Sequence, residues 1–476
     1  MENSVRIIFK FGLRSFLSGL FPVLALSVLS ATVHGQTNGA AQPAPHAKAV
    51  KYVVLVTIDG FRPDFYMDPS WNAPNLRHLM QGGVYAERAR GIFPTVTYPS
   101  HTTIITGAFP ARHGIYYNAP FEPETPTGKW NWYVKDIKAP TLWDAARAAH
   151  LKTAAVLWPV TVGADIDYNI PEIWSTEKGN DRVEPMKANT TPKGLWEEVE
   201  QHATGKLTYN DLNAEYVRFD ENIARMASYV LQQYRPNFLA VHFACVDEWE
   251  HNEGRDGPGV RLAVAGADHA VGKIVEAIEL AGIKDSTAII VTGDHGFGEV
   301  HDALLPNVWL TQKGFIKRNK NSVEWTARFQ PTGGSAFLYL KDPADKKTLA
   351  AVRQTLDALP ESQKKLFHLV EKDELTKMGV DSAAMLGFVP ARGFAVYNSE
   401  QGAPVRPAPQ KGVHGYLPDN PDMYTGFIGY GAGFKEGTMV NQIGLEDIAP
   451  LIARLLGIPF NAPDGVLYPG LLSDKK

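Results

Sequence analysis

The chain has 476 residues, 44% hydrophobic and 21% charged, the balance of a globular protein with a sizeable buried core. A formal charge of −4, with no long basic run, disfavours binding along a nucleic-acid polymer. The only cysteine, Cys245, excludes an intrachain disulfide and a cysteine-built metal site.

At the N-terminus, Arg6, Lys10 and Arg14 lead into the apolar stretch SFLSGLFPVLALSVLSATV, with small residues near Val33 and Gly35. This pattern predicts a secretory signal over 1–35, export to the periplasm or medium, and no stable membrane span in the mature protein. Residues 36–49, rich in Ala, Pro and Gln, read as a flexible leader.

KYVVLVTID (51–59) is a continuous apolar, β-branched run ending in an acid. Such a run predicts a strand buried on both faces, as in parallel sheets. NFLAVHFACVD (237–247) and STAIIVTGD (286–294) repeat the plan. Helical periodicity over 214–234 and 260–282 alternates with these strands, which predicts an α/β fold: an open, mostly parallel sheet with helices on both faces. In such sheets, sites form at the C-terminal strand ends. Residues 302–393 break the rhythm with short strands and a charged helix (345–359), and are expected to form a smaller inserted α+β subdomain. The catalytic core is then expected over 50–301 and again over 394–476, with a terminal helix early in 444–465. No internal repeat is visible.

Three histidines accompany the strand-end acids. His251 follows Asp247, His295 follows Asp294, and His414 sits between glycines in KGVHGY. With Asp59 they make three carboxylates and three imidazoles, a ligand set that suits zinc. Divided over two ions, it leaves open positions for phosphoryl chemistry. His242, inside a predicted strand, reads as a core or hydrogen-bonded histidine, and His101, His113 and His301 stay unassigned. A zinc pair also gives meaning to the hydroxyl-rich segment GIFPTVTYPSHTTIITG (91–107). An ordinary alcohol becomes nucleophilic when a metal and a helix N-terminus lower its pKa. The residues alone leave Thr95, Thr97 and Ser100 open as the attacking group.

The ordered set VTIDGFRPDF, FPTVTYPSHTTIITGAFPARHGIYYN, DEWEH, GDHGFG and GVHGY resembles the alkaline phosphatase superfamily. Within it, the chain most resembles a bacterial secreted member of the nucleotide pyrophosphatase/phosphodiesterase family, over almost all of 50–470. The resemblance implies an alkaline-phosphatase-like fold, two zinc ions per chain and Thr97 as nucleophile. It implies that Asp59, Thr97, Asp294 and His295 hold one ion, and Asp247, His251 and His414 the other. It further implies that Asn118 donates to a phosphate oxygen and that Tyr98 packs on an organic group of the substrate. Tyr168, in LWPVTVGADIDYN, is a candidate base-stacking ring. One departure is Ser100-His101, where the family commonly has Asn-His.

The implied reaction is hydrolysis of a phosphodiester or pyrophosphate bond of a small nucleotide-type substrate, through a phospho-threonine. Three aspartates against two divalent ions leave about one positive charge. Residues 155–175 contain no Lys or Arg, so no added cation for a monoester dianion is visible there. An alkaline-phosphatase-like phosphomonoesterase is the near alternative, and a non-catalytic secreted zinc- and phosphate-ligand-binding protein the alternative of another class.

Overall fold

The computed structural model of the chain describes residues 50–177, 179–319 and 322–473. The signal expected over 1–35 and the leader expected over 36–49 lie outside the described residues. Among the described residues, no helix is long and apolar enough to cross a membrane.

Strands β1 (Tyr52–Ile58), β2 (Val84–Arg90), β3 (Thr153–Val156), β4 (Tyr168–Ile170), β5 (Phe238–Phe243) and β6 (Thr287–Thr292) join Phe427–Gly431 and Thr438–Gly444 in an eight-stranded sheet. The order across it is Thr438–Gly444, β2, Phe427–Gly431, β6, β1, β5, β3, β4. Only Phe427–Gly431 runs against the others. The period-2 alternation of β1 divides it between two cores. Val54, Val56 and Ile58 pack with the helices Arg218–Tyr234 and Pro258–Leu280. Val53 and Leu55 pack with Leu142–Ala148 and Ile448–Leu456. Each fully buried aliphatic side chain contributes about 1.5–3 kcal/mol, which is why these apolar runs take the centre of the sheet.

A second, antiparallel sheet contains Ala327–Pro331, Ala336–Leu340, Leu386–Pro390 and Phe367–Glu371, in that order. The helix Lys346–Asp357 buries Val352 and Leu356 in its core.

One expected strand is shorter than its apolar run. The segment 237–247 leaves the sheet after Phe243, and Cys245–Glu253 is a helix. The cause is remote in sequence. The buried Asp220 carboxylate accepts from the N–H groups of Ala244 (2.9 Å) and Cys245 (3.4 Å), satisfying donors that the helix start would otherwise orphan. The helix places Asp247 and His251 one turn apart on the same face.

Burial raises the Asp220 pKa to about 6, against the lowering effect of these two bonds. A raised carboxyl contributes stability that is fully present below its ordinary value of 3.8 and is lost as pH rises through about 6. The shift corresponds to roughly 3 kcal/mol. Relative to Asp220→Asn, the native chain's urea midpoint should therefore fall as pH rises from 4 to 6.

Candidate metal centre

β1 lies between β5 and β6, with Ile58 beside Phe243 and Thr57 beside Thr292. Asp59 immediately after β1, Asp294 just beyond β6 and Asp247 on the helix after β5 are thus delivered by three adjacent strands. His414 comes from the far end of the chain, after the short strand Gly412–Val413.

The three acids and three imidazoles converge. His295 Nε2 lies 3.3 Å from Asp59 Oδ1 and 3.3 Å from Asp294 Oδ2. Asp247 Oδ2 is 3.5 Å from His251 Nε2, and its Oδ1 is 3.6 Å from His414 Nε2. Each imidazole is oriented from behind: Nδ1 of His251, His414 and His295 donates to the carbonyl of Gly412 (2.9 Å), Thr95 (2.9 Å) and Gly296 (3.2 Å). That fixes the tautomer and leaves Nε2 with its lone pair toward the carboxylates, the arrangement of a metal-ligating histidine. The rings of His295 and His414 stack 3.6 Å apart.

Two groups have donor atoms close enough to share an ion: Asp247, His251 and His414, and Asp59, Asp247 and His295. Asp247 belongs to both. Asp294 supports the second group, with Oδ1 accepting from the N–H of Gly60 (3.2 Å) and of His295 (3.0 Å) and Oδ2 left without a hydrogen bond.

Elementary electrostatics indicates what this pocket could hold. Asp59 Oδ1, Asp247 Oδ1 and Asp294 Oδ2 are buried without a hydrogen-bond donor. Burial, and then repulsion from Asp294 and Asp247, pushes Asp59 well above the usual carboxylate range. Burial pushes Asp294 up to about 7 and Asp247 to about 6. Burial, and then the nearby imidazoles, holds His295 well below its ordinary value, and burial and His251 lower His414 to about 3. Neutral imidazoles beside crowded, undonated carboxylates are the donor chemistry of a divalent cation site, so the residues fit zinc.

Thr97 is the first residue of the helix Thr97–Thr106, 7% exposed, with Oγ1 3.5 Å from His295 Nε2. Its competitors are engaged or enclosed. Thr95 Oγ1 donates to the Tyr416 carbonyl and accepts from the N–H of Gly415, while Ser100 has no exposed surface. The Thr97 backbone is held by His101, whose Nδ1 donates to the Thr97 carbonyl (2.8 Å). Asn118 Oδ1 accepts from the N–H of Tyr98 (2.9 Å), leaving Nδ2 as the free donor of its amide.

Two expected substrate contacts are placed elsewhere. Tyr98 is fully buried and edge-on to Trp130 at 5.2 Å, so its ring offers no face to a solvent-borne ligand. Tyr168 sits at the start of β4, beside Ala154 on β3, which in turn pairs with Leu239 near the beginning of β5. That is the N-terminal end of these strands, away from the acids, and the Tyr168 ring stacks on Tyr234 at 4.0 Å. Composition of the segment could not reveal either outcome, because burial and register are set by partners distant in sequence.

Other neighbours escaped the sequence reading. His242 is hydrogen-bonded in the core, as expected, through Thr57 (3.1 Å) and His101 (3.0 Å), but its Nε2 also reaches within 3.4 Å of Asp59 Oδ2. Glu250, buried between Asp247 and His251 in sequence, pairs with Arg62 Nε at 3.4 Å. A Cβ on Gly60 (φ 70°) would meet the Glu250 carboxylate at 2.4 Å, so the turn after Asp59 is confined to glycine. The position of Glu250 beside two candidate ligands was the one available signal.

The family model described as Type I phosphodiesterase / nucleotide pyrophosphatase matches residues 53–417. The chain is 24% identical over 440 residues to an uncharacterized pyrophosphatase/phosphodiesterase of Schizosaccharomyces pombe, covering 88% of this chain and 79% of that protein. It is also 24% identical over 440 residues to ectonucleotide pyrophosphatase/phosphodiesterase family member 1 of Rattus norvegicus, covering 87% of this chain and 42% of that longer protein. Among solved structures, human ectonucleotide pyrophosphatase/phosphodiesterase 5 matches with a TM-score of 0.62 at 20% identity, covering 86% of this chain and 96% of that one. An inactive murine form of the same protein, in complex with AMP, matches with a TM-score of 0.60 at 20% identity, over 86% and 97% of the two chains. The shared architecture is the alkaline-phosphatase-like α/β fold.

Proposed function

The chain belongs to the type I phosphodiesterase / nucleotide pyrophosphatase family, and on that premise we propose that it is a zinc-dependent hydrolase of phosphodiester or pyrophosphate bonds. The observation that carries this reading is the convergence of three carboxylates and three imidazoles beside the Thr97 hydroxyl.

Asp59, Thr97, Asp294 and His295 would hold one zinc, and Asp247, His251 and His414 the other, with Asp247 near enough to touch both. When bound, such ions neutralise phosphate oxygens, lower the pKa of the attacking hydroxyl and stabilise the departing oxygen. Thr97 Oγ1 forms the new bond to phosphorus as the ester oxygen leaves, producing a phospho-threonine. Water then displaces Thr97 and regenerates its hydroxyl. Asn118 Nδ2 donates to a non-bridging oxygen, and the N-terminus of the helix Thr97–Thr106 adds its positive end.

The ion pairing of two arginines, one three residues after Asp59 and one beyond the helix Thr97–Thr106, supports a diester or pyrophosphate over a monoester. Arg62 is committed to Asp64 (3.0 Å) and Asp256 (3.1 Å), and Arg112 to Asp464 (2.9 Å). Each already has a carboxylate partner, which lowers its availability to the extra charge of a monoester dianion. The test is a side-by-side rate on a nitrophenyl nucleotide diester and nitrophenyl phosphate, with the zinc-loaded enzyme. The diester is expected to react at least about tenfold faster in kcat/KM, and a monoester preference would overturn the substrate assignment. We take residues 1–35 as an export signal, which places the reaction outside the cytoplasm, and small nucleotide-type molecules rather than polymers as substrates.

A further inference from the structure

Behind the metal centre, a chain of buried side chains joins Asp59 to the backbone of Thr97. His242 lies on β5 beside Thr57 of β1, with Nε2 3.4 Å from Asp59 Oδ2. Its Nδ1 is 3.0 Å from His101 Nε2 and 3.1 Å from Thr57 Oγ1. Thr57 Oγ1 in turn is 2.9 Å from His101 Nε2. His101 Nδ1 donates to the Thr97 carbonyl at 2.8 Å and lies 3.7 Å from Asp294 Oδ2. Thr57, His101 and His242 are buried, so their polar partners are one another rather than bulk solvent.

The direction of these bonds follows from the proton count. Burial lowers His101 to about 3 and holds His242 well below its ordinary value, so each ring is neutral with one N–H. A carbonyl only accepts, so the His101 proton is on Nδ1 and its Nε2 is an acceptor. With its proton on Nε2, His242 presents an N–H to Asp59, and the Thr57 hydroxyl bridges the two remaining ring nitrogens. The opposite tautomer would set a lone pair against Asp59, which is an ionised carboxylate when it holds a cation.

We propose that His242 is a positioning residue that couples one metal seat to the nucleophile. Its Nε2 holds the Asp59 carboxylate, and its Nδ1, through Thr57 and His101, braces the Thr97 carbonyl at the start of the helix. The inference rests on the reading that Asp59 holds a cation and Thr97 attacks. Asp59 belongs to one of the two candidate ligand groups, so one ion of the pair should feel the loss of the Nε2 end.

Two amide variants separate the ends of the ring. The shorter asparagine can replace Nδ1 without reaching Asp59, and the longer glutamine can present a donor to Asp59 without replacing Nδ1. Zinc affinity is read by competition with a chromophoric chelator, and kcat and KM on a nitrophenyl nucleotide diester at saturating zinc. His242→Asn is expected to hold one of two zinc ions at least about tenfold more weakly, as loss of an outer partner does. His242→Gln is expected to keep both affinities within about threefold. It should instead lose about tenfold in kcat with little change in KM, because the attacking group is less well held. His242→Leu, which brings no polar group, gives up both ends, should show both losses, and replaces an amide variant that does not fold. Unchanged zinc affinity in a folded His242→Asn or His242→Leu would overturn the proposal. So would unchanged kcat in a folded His242→Gln or His242→Leu, or equal losses in the two amide variants. A native chain that binds no zinc and hydrolyses no diester would instead strike the reading of the metal centre itself.

Discussion

Thr97→Ala is expected to reduce turnover by at least about 10³-fold, because it removes the atom that forms the covalent intermediate. The variant should still fold and bind phosphate ligands. The Thr97 methyl and hydroxyl sit at the start of a helix whose first turn is held by other groups, His101 on the Thr97 carbonyl and Asn118 on the next N–H. Thr97→Ser keeps a hydroxyl on the same backbone and should retain measurable turnover. Calorimetric titration with a nucleoside monophosphate, alongside the rate assay, separates the outcomes. Full activity in the alanine variant would end the phospho-threonine mechanism. A chain that binds equally well with and without Thr97, and turns over in neither case, would be the non-catalytic zinc- and phosphate-binding protein.

Asp247→Ala is expected to be the most damaging change to metal content. Asp247 is common to both groups of potential ligands, whereas His251 and His414 belong to one. Its loss should weaken zinc binding by more than about 100-fold, beyond the usual effect of losing an outer partner. Metal analysis should find about two zinc ions in the native chain, fewer than one in Asp247→Ala, and at least one in His251→Ala. If Asp247→Ala retained both ions, the shared position of this carboxylate would be irrelevant to metal binding. Protons should compete at the same atoms. Because burial raises Asp294 to about 7 and Asp247 to about 6, zinc affinity should weaken progressively as pH falls through and below this range.

The fold and the convergence of most candidate site residues were legible because their signals are local. An apolar β-branched run such as Tyr52–Ile58 can be satisfied only inside a sheet, and an acid placed directly after it must emerge at the sheet edge. The same logic served Asp294. It worked for Asp247 by a different route, since the residues taken as the end of a strand are the first turn of a helix that Asp220 caps from elsewhere. Sequence order also carried the motif set whose resemblance singled out Thr97. For Tyr98 and Tyr168 the aromatic identity was plain, but an aromatic residue serves a core as readily as a ligand. Trp130 encloses one ring and Tyr234 covers the other, and neither contact has a signature at those positions.

By itself, then, the sequence determined that this chain builds a parallel α/β sheet, that acids and histidines follow its strands, and that a hydroxyl-rich helix start accompanies them. Periodicity and residue chemistry act over a few neighbours, so one strand with its following loop is enough to read them. Tertiary structure alone decided that β1 lies between β5 and β6, that Asp247 faces both groups of candidate ligands, that His242 reaches Asp59, and that a cleft without Asp, Glu, Lys or Arg among its described lining opens beside Thr97. Those outcomes depend on how segments up to hundreds of residues apart share one buried volume, where desolvation and packing rather than local preference choose each side chain's neighbours.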